Sequence, residues 1–409
     1  SLIMLDNIWF IAAIWIGLAF LASVISIRIG ISVALIEILV GVAAGNVHLG
    51  DGHSILRSTD WTNFLAMLGS GVLTFLAGAE IDPIALRKNL RPGLAIGTAA
   101  FLLPFGGVWA FAQLVLHWPV HQAQIAGIAL STTSVAVVYA VMIETGQSET
   151  ALGKMILVAC FINDLGTVLA LGLIFANYDV WLLVFVVVTC LALFIVPKLT
   201  RLLISRFGAK RVSEPEIKFV FFALFFLGGL ASTAKSEAVL PAYLLGLVLA
   251  GVFFHDKTLV LRMRSIAFAM FTPFYFIRAG SFVAVSAVWT AVGVILLLLA
   301  MKMLTKFVGV FPLSRLYCMR KREAKYTTLL MSTGLTFGTI SALFGLQNKI
   351  ISQQQYSILV TVVILSAVVP TLIAQKFFEP TRRAMDAWGR FYQRRVKAGA
   401  GMAKLPNRK

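Results

Sequence analysis

The sequence predicts an all-α protein that crosses a membrane many times. Three observations predict it. Of 409 residues, 59% are hydrophobic and only 13% are charged, and the mean hydropathy is +0.92. A soluble chain of this size needs far more polar surface to cover its core. The apolar residues also gather into long runs, each near the ~20 residues that carry a helix across hydrocarbon, without the period-2 alternation of barrel strands. Finally, Lys and Arg fall almost entirely between alternate runs, as the positive-inside rule requires. This composition excludes an ordinary soluble enzyme, a disordered chain and a disulfide scaffold. Cys160, Cys190 and Cys318 show no metal-ligand spacing.

Thirteen runs are read as spans: 8–27, 31–49, 62–79, 93–116, 123–143, 154–176, 180–197, 218–234, 238–254, 264–280, 284–306, 326–346 and 354–375. The first lacks a basic n-region and a small-residue cleavage site, so it is read as a span and not a leader. Loops on the side of the C-terminus carry 29 of the 35 Lys and Arg, whereas the opposite loops carry only Arg57, Lys235 and Lys349. With thirteen spans, this places the N-terminus outside and the C-terminus in the cytoplasm. The net charge of +18 is therefore assigned to the cytoplasmic face of an inner membrane and its anionic lipid headgroups, not to nucleic acid. The loop 198–218 and the tail 376–409 hold most of it, and Arg382, Arg383, Arg394 and Arg395 suggest an amphipathic surface helix.

Five charged residues fall inside or at the edge of apolar runs: Glu37, Asp164, Arg278, Lys302 and Lys306. Charge at that depth is costly, which makes each a functional candidate. Two runs also carry matched hydroxyl clusters: Ser131, Thr132, Thr133 and Ser134 in the fifth, and Ser332, Thr333, Gly334 and Thr336 in the twelfth. The two runs are seven apart and so cross in opposite senses. Broken helices at matching positions of two inverted repeats point to a transporter's binding site. The alternative is that these hydroxyls bond back to their own helices. The sixth run places Asn163 and Asp164 near its middle. A carboxylate there can hold a proton, hold a hard cation through oxygen ligands, or pair with a Lys or Arg.

At this point the residues resemble a known family. The run Ser131-Thr-Thr-Ser-Val, then Glu144-Thr-Gly, then Phe161-Ile-Asn163-Asp164 is similar to the cation/proton antiporter superfamily, in its NapA-like and Kef-like branch. Ile36-Glu37 through Gly41, Ala77-Gly78-Ala79-Glu80, Pro241 through Gly251, and Lys306-Phe-Val-Gly309 match further motifs in order. The resemblance implies an NhaA/NapA-like fold with two crossed broken helices and an elevator-type antiporter, usually a homodimer. It implies a core domain near 93–176 and 284–375, a dimerisation domain near 8–79 and 218–280, and a linker helix at 180–197. It maps the ion-binding carboxylate to Asp164, its lysine charge partner to Lys306 and its Thr-Ser pair to Thr133-Ser134; Asn163 and Thr132 beside them are read as further ion-binding candidates. No cofactor is implied beyond the transported Na⁺ or K⁺ and H⁺, and no enzymatic activity.

Electrogenic members carry two adjacent acids, and here the first position is Asn163. One titrating carboxylate exchanges one proton for one monovalent cation, so 1:1 electroneutral exchange is expected. The twelfth run has Thr336 where some relatives have an acid. Arg278 either reaches the outer interface or lines the ion path with an acid such as Glu37. Lys302 shares a helix face with Lys306 but lacks the Lys-x-x-Gly pattern. The alternatives are a Na⁺-coupled organic solute symporter on a related fold and a gated K⁺ efflux system. The symporter wants more polar clusters than one mid-membrane acid supplies, and no filter-like segment supports a channel.

Overall fold

The computed structural model describes residues 7–30, 32–48, 54–176, 178–207, 214–234 and 239–397, apart from the side chains of residues 136, 139, 140, 143, 144 and 395–397. Lys235, His53, part of the basic loop and the end of the tail lie outside the described residues, as does the Glu144 side chain. Everything described is helix, turn or coil, save one isolated bridge between His48 and Ser54.

Among the described residues ten helical stretches are long and apolar enough to cross a membrane, and the apolar helices Val33–Asn46 and Val239–His255 are shorter. The fifth expected run forms two half-helices, Val120–Ser131 and Val135–Glu144. The twelfth likewise divides into Lys321–Met331 and Thr336–Gln347. Two boundaries need correction. The run expected at 284–306 is a short helix Val285–Thr290 followed by a 25-residue helix Val292–Leu316. Lys302 and Lys306 appeared to close the apolar run; both are fully buried, so the helix continues past them and they sit in its middle. The 180–197 run likewise extends through Pro197 as the helix Val180–Phe207.

The chain forms two compact units: one takes 1–83 and 168–281, the other 84–167 and 282–409. The first is built on close helix contacts. A Cβ at Gly41 would meet the Ile277 carbonyl and one at Gly280 the Ile38 carbonyl, so Val33–Asn46 packs directly on Thr272–Ser281. Gly78 and Gly246 do the same for Asp60–Ala79 against Val239–His255. Without side chains between them the backbones approach closely, which is how helices associate where lipid offers no hydrophobic drive. Trp15 of the helix Ile8–Ile29 stacks on Phe274 at 5.3 Å, and Glu80 at the end of Asp60–Ala79 pairs with Arg264 at 3.1 Å.

The second unit holds both broken helices. The helix Leu90–Leu114 lies against Ala151–Ile174 through Gly93 and Gly97, and against Val292–Leu316 through Gly309. One buried cluster of this unit gathers Ile96, Leu152, Met155, Leu330 and Met331 with Met385 and Trp388 of the final helix Arg382–Lys397. The tail is thus only partly the free basic surface the sequence suggested. Its apolar face is buried: Trp388 donates to the Tyr317 carbonyl at 2.9 Å, and Asp386 accepts from the Ala151 N–H at 3.3 Å. Arg382, Arg383, Arg390 and Arg394 remain exposed on the other face.

Candidate functional site

A helix end leaves unpaired carbonyls, and two breaks in the middle of a bundle leave them far from water. The first break spans 132–134, with Thr132 extended at φ −64 and ψ 154. The hydroxyls of Ser131 and Thr132 do bond back, to the Ile128 and Ala129 carbonyls at 2.8 and 3.0 Å. The helix nevertheless breaks, so both sequence readings of this cluster hold at once. The second break lies at 332–335, where Ser332 and Thr333 bond back to Thr328 and Leu330. The breaks touch each other: the Ser134 N–H donates to the Thr333 carbonyl at 3.1 Å and the Thr133 hydroxyl to the Met331 carbonyl at 2.7 Å.

Asn163 fastens the first break from the neighbouring helix. Its Oδ1 accepts from the Thr133 N–H at 2.8 Å and its Nδ2 donates to the Ser131 carbonyl at 3.1 Å. A carboxylate at this position could accept the first bond but not donate the second. Asp164 follows on the same helix, 1% exposed, and its Oδ1 has no hydrogen-bond partner among the described residues. A buried carboxylate oxygen without a donor is costly and calls for a proton or a cation.

Two lysines complete the cluster. Lys306 Nζ donates to the Ser131 carbonyl at 2.7 Å and to Thr133 Oγ1 at 3.0 Å. Lys302 Nζ donates to the Thr132 carbonyl at 3.3 Å and to Ser366 Oγ at 3.1 Å. Cations at carbonyl-bearing helix ends oppose the partial negative charge there. Among the described residues neither lysine lies within 4.0 Å of a carboxylate, so Lys306 contacts the first break and not Asp164 directly.

Asp164, Asn163, Thr132, Thr133, Ser134, Lys306 and Lys302 therefore share one unit and one cluster, with Thr336 opening the second half-helix at 7% exposure. Ser134 caps the half-helix after it, accepting from the Val137 N–H at 3.3 Å. Glu37 and Arg278 fall in the other unit, Glu37 buried at 3% exposure. Ser366 was missed in the sequence; it lies at the middle of the 354–375 run, which also carries Ser357, Thr361 and Thr371, so nothing in its own segment set it apart. Among the described residues no group of His, Cys, Asp and Glu could hold a metal ion.

The chain belongs to the family described as sodium/hydrogen exchanger, transmembrane, which matches residues 16–379. Members of this family are membrane transporters, not enzymes, and they use no cofactor. Relatives include an Na(+)/H(+) antiporter of Enterococcus hirae, 27% identical over 87% of this chain and 94% of the relative. They also include the Na(+)/H(+)-K(+) antiporter GerN of Bacillus cereus, 24% identical over 90% of this chain and 95% of the relative. The sodium proton antiporter MjNhaP1 of Methanocaldococcus jannaschii shares the fold, with a TM-score of 0.66 and 16% identity over 90% of this chain and 98% of that one.

Proposed function

We propose that this protein exchanges Na⁺ or K⁺ for protons across the inner membrane, with Asp164 binding H⁺ and cation in alternation. The observation that carries the reading is the buried Asp164 Oδ1, without a donor, beside two crossed helix breaks. Proton and cation satisfy the same oxygen and compete for it. The named relatives, which include both an Na(+)/H(+) and an Na(+)/H(+)-K(+) antiporter, support the pair of cargoes.

The exchange is one proton for one cation. Asn163 carries no charge, and both ends of its amide are committed to the first break, which leaves Asp164 as the exchanging carboxylate. Thr133 and Ser134 hold the break, and Lys306 opposes the charge of Asp164 from the helix Val292–Leu316. The unit bearing the breaks is the moving core of an elevator, and the unit built on glycine contacts is the scaffold of a homodimer; the division of the chain into two units supports this arrangement. Its N-terminus lies outside and its C-terminus in the cytoplasm, by the Lys and Arg asymmetry. The exposed arginines of the final helix meet anionic headgroups.

The test is proton flux in proteoliposomes on addition of Na⁺, K⁺ or Li⁺. Each transported cation should dissipate a pH gradient in the wild type and leave it intact in D164N. Flux that persists in D164N would sink the assignment.

A further inference from the structure

The exchange at Asp164 leaves Lys302 without a task. It is fully buried, four residues before Lys306, and its two acceptors are different ones. One is the Thr132 carbonyl of the first break. The other is Ser366 Oγ, whose hydroxyl lies 2.8 Å from the Val363 carbonyl and 3.4 Å from the Gly334 carbonyl of the second break. Gly334 completes the enclosure. A Cβ there would meet the Lys302 ammonium first, then Thr132 Oγ1 and Ser366 Oγ. Its backbone does not take a positive φ, so glycine is needed here for room and not for conformation. No carboxylate among the described residues lies within 4.0 Å of this ammonium. Carbonyl and hydroxyl oxygens converging on one point are the ligands a hard monovalent cation takes, and a dry ammonium is held by them for the same reason.

We propose that the Lys302 ammonium is a tethered, resident cation filling a second monovalent-cation subsite between the two breaks, formed by the Thr132 carbonyl and the Ser366 hydroxyl, with Gly334 leaving it room. The inference rests on the reading of Asp164 as the exchanging site. Lys302 occupies the second subsite with a charge that cannot leave, so each protomer carries one mobile cation. Lys306 is a different case, because its acceptors belong to the first break alone.

The test is equilibrium binding of ²²Na⁺ to the purified full chain, with flux in proteoliposomes alongside. Wild type should bind one Na⁺ per protomer. K302A withdraws the ammonium and should bind two. Adding S366A to K302A should weaken the second Na⁺ by about tenfold, the loss of one ligand to a charged group. One Na⁺ per protomer in a folded K302A, at unchanged affinity, would overturn the proposal.

A second route survives a poorly folded K302A. G334A drives a methyl into the ammonium and should cut flux about tenfold in the wild type, but less than about threefold in K302M, since contacting residues are non-additive. Equal effects in both backgrounds would also overturn it. The D164N variant keeps the two readings apart. If D164N still exchanges cations, the Asp164 reading fails whatever Lys302 does. If D164N is silent and K302A binds one Na⁺, only the resident-cation inference fails.

Discussion

The two helix breaks of the second unit have similar local sequences and different surroundings. At the first, a side-chain amide and two ammoniums answer the freed Thr133 N–H and the Ser131 and Thr132 carbonyls, and a carboxylate sits one residue from the amide. At the second, the freed carbonyls of Met331, Thr333 and Gly334 are met by Thr133, Ser134 and Ser366. The half-helix beginning at Thr336 has no side-chain cap, where Ser134 caps its counterpart. An inverted repeat therefore supplies the geometry twice, but the chemistry once. What makes the first break a site is the helix Ala151–Ile174 beside it, which brings Asn163 and Asp164.

This comparison can be broken in graded steps. The largest effect should come from Asp164: D164N is isosteric, and cation-driven proton flux should fall to that of empty liposomes. Next is Lys306, whose two bonds hold the first break. K306M should lower flux by about tenfold, a difference of about 1.4 kcal/mol at the rate-limiting state. Removing the fastener comes third. N163A leaves the Thr133 N–H and a share of the Ser131 carbonyl buried without partners, which should cost about 1–3 kcal/mol in thermal unfolding. N163D restores the acceptor but not the donor; it should recover part of that stability, and its second acid should make flux sensitive to membrane potential. The smallest effect sharpens the contrast between breaks. T133A loses a bond to each of Met331 and Lys306 and should slow flux several-fold, whereas T336A, whose hydroxyl joins none of the hydrogen bonds described for the cluster, should stay within about twofold. Equal losses from T133A and T336A would mean that the breaks are functionally equivalent.

The spans and the breaks were legible because their causes are local. Apolar length marks a span, and two hydroxyl clusters in runs of opposite sense mark the breaks. Asp164 was legible because one carboxylate in the middle of an apolar run has few structural excuses. The tasks of the two lysines were not. Lys302 and Lys306 stand one turn apart with similar neighbours, and only the fold shows that one reaches Ser131 and Thr133 and the other Thr132 and Ser366. Their charge also moved the expected end of the 284–306 run, because burial of a lysine by distant oxygens leaves no trace in its own segment. Arg382, Arg383 and Arg394 signalled an amphipathic final helix correctly. They did not signal its partner: the Tyr317 carbonyl and the Ala151 N–H are more than 60 residues away in sequence. Gly41, Gly78 and Gly246 belong to motifs that resemble functional signatures, yet here they serve close helix contact in the other unit.

The most direct measurement is proton release when Na⁺ is added to the purified protein in lightly buffered detergent solution, near the pH at which half the sites hold a proton. If one carboxylate holds either a proton or a cation, saturating Na⁺ releases at most one proton per protomer in the wild type and none in D164N. Unchanged release in D164N, or Na⁺ binding in the wild type without release at any pH, would contradict the account.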